Sequence, residues 1–363
     1  MRYTMFGKTG LRVSELCLGT MTFGEDWGWG APRHACARIV DLFAEAGGNF
    51  IDTANNYTAG SSESLVGELL EGRRDRFVLA TKYTCQTEPD PNSAGNHRKS
   101  LVRSLERSLR RLRTDHVDLL WVHARDTLTP VEEVMRALDD QVRAGKVLYV
   151  GVSDWPAWEI AQATTLAELR GWSPFVGLQI EYSLLERTVE RELVPMAHGL
   201  DLGVTAWSPL ARGRLTGKYL AGADHPDVAG ARLTVTGQDG SEERGDAIVR
   251  EVVAVAEQIG ASPAQVALAW LRGRPGAVVP IVGARNEEQF RDNLASADLT
   301  LDDTPRERLD RASAIELGFP HDFLRGEPMP KMIVYGEGWM QVDDRRFTVR
   351  RVPADDPDLL ARS

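Results

Sequence analysis

Eight short apolar runs recur along this chain, and each is followed by a longer segment of helical periodicity. The runs fall at 16–18, 49–52, 77–81, 117–121, 147–151, 175–179, 204–207 and 278–282. Several are rich in Val and Leu without polar alternation, the pattern of strands covered on both faces. Between them, Leu101, Leu105, Leu109 and Leu112 form one apolar helical stripe, and Val131, Val134, Met135, Leu138 and Val142 form another. Three helix starts share one grammar, a capping hydroxyl, then proline, then a carboxylate or amide. They are Thr129-Pro130-Val131-Glu132, Ser262-Pro263-Ala264-Gln265 and Thr304-Pro305-Arg306-Glu307.

Eight strand–helix alternations imply a parallel sheet, either open or closed into a barrel. No G-x-G-x-x-G follows the first run, which disfavours the open dinucleotide-binding sheet. The expected fold is therefore α/β, a (β/α)8 TIM barrel. Such a barrel takes about 250 residues, and this chain has 363. The surplus reads as a β-hairpin at 3–13 around Lys8-Thr9-Gly10, a polar, Gly-rich insertion near 221–240, and an extra C-terminal helix and tail at 317–363. With no inter-domain linker visible, 1–363 reads as a single domain with its barrel over 14–316.

Composition narrows the partners. A net charge of −10 without a Lys/Arg run argues against nucleic acid. No apolar run approaches the roughly 18 residues of a membrane helix, and Met1 to Gly10 do not read as a signal peptide. Cys17, Cys36 and Cys85 are odd in number and widely spaced, which fits a reducing, cytoplasmic compartment. No metal site is expected, because no histidines pair at i, i+4 and none neighbours a cysteine in sequence.

Active sites of such barrels gather at the C-terminal ends of the strands. Asp52 ends the second run, with Tyr57 in the loop beyond it. Lys82 ends the third, and His123 follows the fourth. A phenol of pKa about 10 exchanges protons poorly at neutral pH. A neighbouring ammonium is expected to lower that value, and a carboxylate to hold the ammonium charged. His123 adds a hydrogen-bonding group for a carbonyl oxygen. Singly, each residue has an ordinary reading: Lys82 a solvated surface group, Asp52 a turn cap, His123 a satisfied core residue. Four of them on three successive strands are less easily coincidental and stand as candidates for a catalytic set.

The order of motifs resembles the aldo-keto reductase family. Gly7-Lys8-Thr9-Gly10-Leu11-Arg12-Val13-Ser14 before Leu18-Gly19-Thr20-Met21 is similar to the family's hairpin and first strand. Phe50-Ile51-Asp52-Thr53-Ala54 with Tyr57, Glu63-Ser64-Leu65-Val66-Gly67, Thr81-Lys82, and Val117-Asp118-Leu119-Leu120 with His123 follow in order. So do Gly145-Lys146-Val147 through Gly151-Val152-Ser153, Ile180-Glu181-Tyr182-Ser183, and Trp207-Ser208-Pro209-Leu210. Ile281-Val282-Gly283-Ala284-Arg285 with Gln289 and Asn293 completes the set, so the likeness spans residues 1–316.

The resemblance implies an NADPH-dependent oxidoreductase that reduces aldehydes or ketones reversibly, with the tetrad Asp52, Tyr57, Lys82 and His123 and Tyr57 as general acid. It implies cofactor contacts from Gly19, Thr20, Met21 and Asp52. Ser153, Asp154 and Gln179 would face the carboxamide, and Trp207 would stack on the nicotinamide. Ser208, Pro209, Leu210, Gly213 and Lys218 would surround the pyrophosphate. Gly283, Arg285, Gln289 and Asn293 would hold the adenosine end. Two positions depart from the family. Asp154 stands where Asn is usual, and a carboxylate accepts hydrogen bonds but cannot donate. Trp207 stands where Tyr is more frequent and keeps the stacking face.

The partner is then a small carbonyl compound, and Trp27 and Trp29, in the loop after the first run, stand beside its expected site with Tyr57 and His123. Phe319, Phe323, Met329, Met332, Tyr335 and Trp339 in the tail either cover that pocket, pack on the barrel or join copies as a homo-oligomer. The alternatives to a reductase are a non-catalytic NADPH-binding regulatory subunit and a barrel lyase or isomerase using Lys82 as a Schiff base.

Overall fold

The computed structural model describes residues 1–220 and 243–325. The insertion at 221–240 and the tail residues Met329, Met332, Tyr335 and Trp339 lie outside the described residues. The chain divides into two units, Met1–Ile315 and a second beginning at Glu316.

In the first unit, β1 (Tyr3–Met5) and β2 (Arg12–Ser14) form an antiparallel hairpin. Eight parallel strands follow: β3 (Cys17–Gly19), β4 (Phe50–Asp52), β5 (Val78–Tyr83), β6 (Val117–Val122), β7 (Val147–Ser153), β8 (Phe175–Glu181), β9 (Gly203–Trp207) and β10 (Val278–Val282). They pair in that order, and β10 returns to β3 through Ile281 opposite Cys17 and Val282 opposite Leu18. The result is a closed (β/α)8 TIM barrel, so the sheet has no free edge. Its helices are α1 (Arg33–Glu45), α2 (Ser61–Leu69), α3 (Arg98–Leu112), α4 (Val131–Arg143), α5 (Ala157–Arg170), α6 (Leu193–Gly199), α7 (Glu243–Ile259), α8 (Pro263–Arg272), α9 (Glu287–Ala295) and α10 (Asp303–Ala312). No single helix among the described residues is long and apolar enough to cross a membrane. In the second unit, α11 (His321–Arg325) starts beyond Gly318, whose amide donates to Asp322 at 2.7 Å, and Phe319 and Phe323 pair at 6.2 Å.

The apolar stripes bury as their spacing demands. Leu101, Leu105, Leu109 and Leu112 of α3 and Val131, Val134, Met135 and Leu138 of α4 all face the core. Two of the three expected helix starts need correction. Ser262 caps α8 with a full capping box to Gln265. Thr129 instead donates to Asp126 at 2.6 Å, leaving Pro130 as the cap of α4. The last helix begins earlier, with Asp302 as its cap and Pro305 inside the first turn, where a missing N–H costs little.

Strand parity divides the barrel interior into layers. Cys17, Phe50, Ala80, Leu119, Trp121 and Val279 point inward and pack with Phe6, which the hairpin delivers from below. Phe6 meets Phe50 at 5.6 Å and Trp121 at 6.2 Å, both edge to face. Glycines on three successive strands make the room. A Cβ on Gly151 would lie 2.5 Å from Trp121, and Cβ atoms on Gly177 and Gly203 would lie 2.5 and 2.7 Å from Phe6. Gly177→Ala should therefore cost about 1–3 kcal/mol by overpacking. Denaturant melts check this, and Phe6→Leu should recover part of the loss. A neutral Gly177→Ala would mean that the floor is not close-packed.

Candidate active site

The same parity builds the site. Two residues beyond the floor, the inward positions are Gly19, Asp52, Lys82, His123, Ser153, Gln179, Trp207 and Ile281. All except Lys82 line one cleft of about 610 Å³ at the C-terminal face. Lys82 lies beneath it, fully buried. Its ammonium donates to the Asp52 carboxylate, to the Thr53 carbonyl at 2.8 Å and to the Tyr57 hydroxyl at 3.2 Å. An ammonium has three protons, and all three are used. Gln179 Nε2 donates to the other Asp52 oxygen at 3.1 Å. Because Tyr57 OH accepts from Lys82, its own proton is left to point into the cleft.

Burial pushes the Tyr57 phenol above its ordinary value and outweighs the opposing pull of Lys82. This corrects the expectation of a lowered phenol: desolvating a phenolate costs more than one already-paired ammonium returns. Lys82 is pushed down by burial but raised overall by Asp52 and Tyr57, so it stays charged. Burial, with help from Lys82, lowers His123 to about 3, so its imidazole is neutral at physiological pH. Its Nδ1 lies 3.4 Å from Cys85 Sγ. Burial also raises the Cys85 thiol, which keeps its proton and can donate it to Nδ1. The imidazole proton then resides on Nε2.

The remaining expected residues distribute unevenly. Met21, Trp29, Ser153, Asp154, Ser208, Pro209, Leu210, Gly213, Lys218, Gly283, Arg285, Gln289 and Asn293 line the cleft. Thr20 does not. It is fully buried, its hydroxyl donates to the Asp52 carbonyl at 3.1 Å, and Ser62 donates to it at 2.9 Å. Trp27 stands behind the wall, 5.6 Å from the Trp29 ring and 6.4 Å edge to face from Tyr57. Sequence reasoning missed Thr22, Asn56, Cys85, Arg212 and Asp292 among the lining residues. Thr22, Asn56, Arg212 and Asp292 adjoin expected positions, and that adjacency is the signal the sequence offers.

The cleft suits an extended dinucleotide. An aromatic wall and proton-bearing groups occupy one end, the cations Arg212 and Lys218 lie along it, and Arg285 stands near the N-terminus of α9. Backbone strain collects here too. Of the ten non-glycine residues with positive φ among the described residues, seven lie in the loops after β4, β5, β7 and β9 that rim the cleft, among them Asp154, Ser208 and Arg212. Strain concentrated at one face marks a working surface.

Comparison with known proteins agrees with this geometry. The model of the aldo/keto reductase family matches residues 15–314. The chain belongs to the aldo/keto reductase family. It is 41% identical over 322 residues to the uncharacterized oxidoreductase YrpG of Bacillus subtilis, covering 83% of this chain and 93% of that protein. It is 38% identical over 333 residues to norsolorinic acid reductase stcV of Emericella nidulans, covering 89% and 84%. It is 35% identical over 324 residues to the aryl-alcohol dehydrogenase GME11368 of Pestalotiopsis microspora, covering 86% and 82%.

Trp207 Nε1 donates to Asp154 Oδ1 at 3.2 Å. Asp154 holds a left-handed φ of 52°, which Asp and Asn tolerate better than other side chains bearing a Cβ. The state of His123 is directly testable. Imidazole nitrogen NMR at about pH 5, where an unperturbed histidine of pKa about 6.5 is mostly charged, should show His123 as the neutral Nε2–H tautomer. A doubly protonated ring at that pH would contradict the burial argument.

Proposed function

We propose that this aldo/keto reductase is an NADPH-dependent enzyme that interconverts aldehydes or ketones and alcohols, with Tyr57 as general acid in the reducing direction. The observation that carries this reading is the hydrogen bond from Lys82 to Tyr57 OH at 3.2 Å, which leaves the phenol proton facing the cleft. Bound nicotinamide supplies or accepts the hydride. Tyr57 gives its proton to the carbonyl oxygen as charge develops there, and Lys82 stabilises the phenolate left behind. Asp52 and Gln179 keep Lys82 charged and in place. Neutral His123 donates from Nε2 to the same oxygen.

Ser153, Asp154, Gln179 and Trp207 would hold the nicotinamide end. Ser208, Arg212, Gly213 and Lys218 would surround the pyrophosphate, and Arg285, Gln289 and Asn293 the adenosine end. Trp29 on the wall, backed by Trp27, favours a carbonyl carried on an apolar, aromatic body, and the names of the fungal relatives point the same way. Three free cysteines fit a reducing compartment such as the cytoplasm.

Tyr57→Phe should retain NADPH binding and lose at least about a hundredfold in turnover of an aromatic aldehyde, the scale of general acid catalysis. Near-normal turnover would remove Tyr57 from this role. Lys82→Met should do comparable damage. It also leaves Asp52 buried and unpaired at a cost of about 3–5 kcal/mol, so a thermal melt accompanies the assay. Cofactor choice rests on Arg285, whose charge-assisted bonds to a 2′-phosphate are worth about 1.5–3 kcal/mol, or roughly tenfold to a hundredfold in affinity. Dissociation constants for NADPH and NADH should show that preference in the wild type and its collapse in Arg285→Ala. A preference that survives the substitution would put the 2′-phosphate contact elsewhere.

A further inference from the structure

The charges beneath the reacting end of the cleft nearly cancel. Lys82 and Asp52 are a buried pair, Tyr57 keeps its proton, and His123 is neutral. Asp154 is different. It follows Ser153 at the end of β7 and lines the same cleft, and its carboxyl accepts from Trp207, a neutral donor. Among the described residues no cation lies within ion-pair distance of it. It shares the cleft with Cys85, His123 and Tyr57. Asp154 is exposed at the rim of the cleft, where partial desolvation raises its carboxyl while the Trp207 N–H, Ser153 and Lys82 oppose that rise.

This matters because the two forms of a nicotinamide cofactor differ in charge at the ring alone. The oxidised pyridinium carries +1, and the reduced dihydropyridine is neutral. Contacts from Arg212, Lys218 and Arg285 to phosphates are the same for both and cannot tell them apart. A fixed carboxylate at the ring end can. The inference rests on the cofactor reading given under Proposed function.

We propose that Asp154 sets the preference between the two redox forms of the cofactor: its carboxylate, held in place by the indole N–H of Trp207, binds NADP+ more tightly than a neutral side chain there would. The expected size is about tenfold, as for a unit charge acting over a short distance in a partly solvated cleft. By linkage the bound couple becomes harder to reduce, by about 30 mV for that tenfold change in a two-electron couple. Relative to an amide at this position, bound NADPH is the stronger reductant and the bound equilibrium is shifted toward carbonyl reduction. The carboxylate at 154 is thus a specificity determinant, and Trp207 is its positioning partner.

Asp154→Asn isolates the charge, because asparagine tolerates the left-handed backbone and can still accept from Trp207. Dissociation constants for NADP+ and NADPH are measured on wild type and Asp154→Asn near pH 8 by equilibrium binding, without substrate. Asp154→Ser repeats the charge loss with a different shape. The ratio Kd(NADP+)/Kd(NADPH) should rise about tenfold in both variants, chiefly through weaker NADP+ binding, and the wild-type shift should shrink with added salt. A ratio unchanged in both variants, with both cofactors bound, overturns the role of Asp154 and leaves the reductase reading standing. Failure of the wild type to bind either form overturns that reading and this inference together.

Discussion

The buried ammonium of Lys82 is the interaction on which the site depends. A cation of this kind costs several kcal/mol to remove from water unless every proton finds a partner. Here one goes to a carboxylate, one to a backbone carbonyl and one to the Tyr57 hydroxyl. That accounting fixes the phenol, since Tyr57 must present a lone pair to Lys82 and turn its proton toward the cleft. It also fixes Asp52, whose second oxygen is taken by Gln179. Three strands, β4, β5 and β8, and the loop after β4 are tied together by one charge.

Such a centre needs a rigid, dry floor, and the barrel provides it by parity. The residues two positions before Asp52, Lys82, His123 and Gln179 are Phe50, Ala80, Trp121 and Gly177, all packed on or near Phe6. The hairpin that carries Phe6 plugs the bottom of the barrel and desolvates the site from below. The same desolvation neutralises His123 and raises Tyr57. Fold and electrostatics thus share one cause, the exclusion of water from the barrel centre.

The eight strands were legible because strands buried on both faces stand out as unbroken apolar runs, and their ends proved accurate to within about two residues, as such boundaries usually are. The strand-end residues Asp52, Lys82, His123 and Gln179 were legible for the same reason. Less so were features set by tertiary contact. Thr20 looked like a cleft residue from its place after β3, but its side chain turns under Asp52. Thr129 resembled a cap and found Asp126 instead. Phenol acidity was misjudged because a neighbouring lysine is visible in sequence and the depth of burial is not. Asp154 and Trp207, read separately as departures, gain meaning only as a hydrogen-bonded pair.

The central claim is that Lys82 acts through Tyr57 and not independently of it. A double-mutant cycle on single-turnover reduction of an aromatic aldehyde, using Tyr57→Phe, Lys82→Met and their combination in proteins that still bind NADPH, tests this most directly. If Lys82 works only by tuning and orienting the phenol, the double variant should be no slower than Tyr57→Phe alone, as expected for residues that act as a unit. Losses that multiply across the two substitutions would show Lys82 and Tyr57 contributing separately, and would contradict the account.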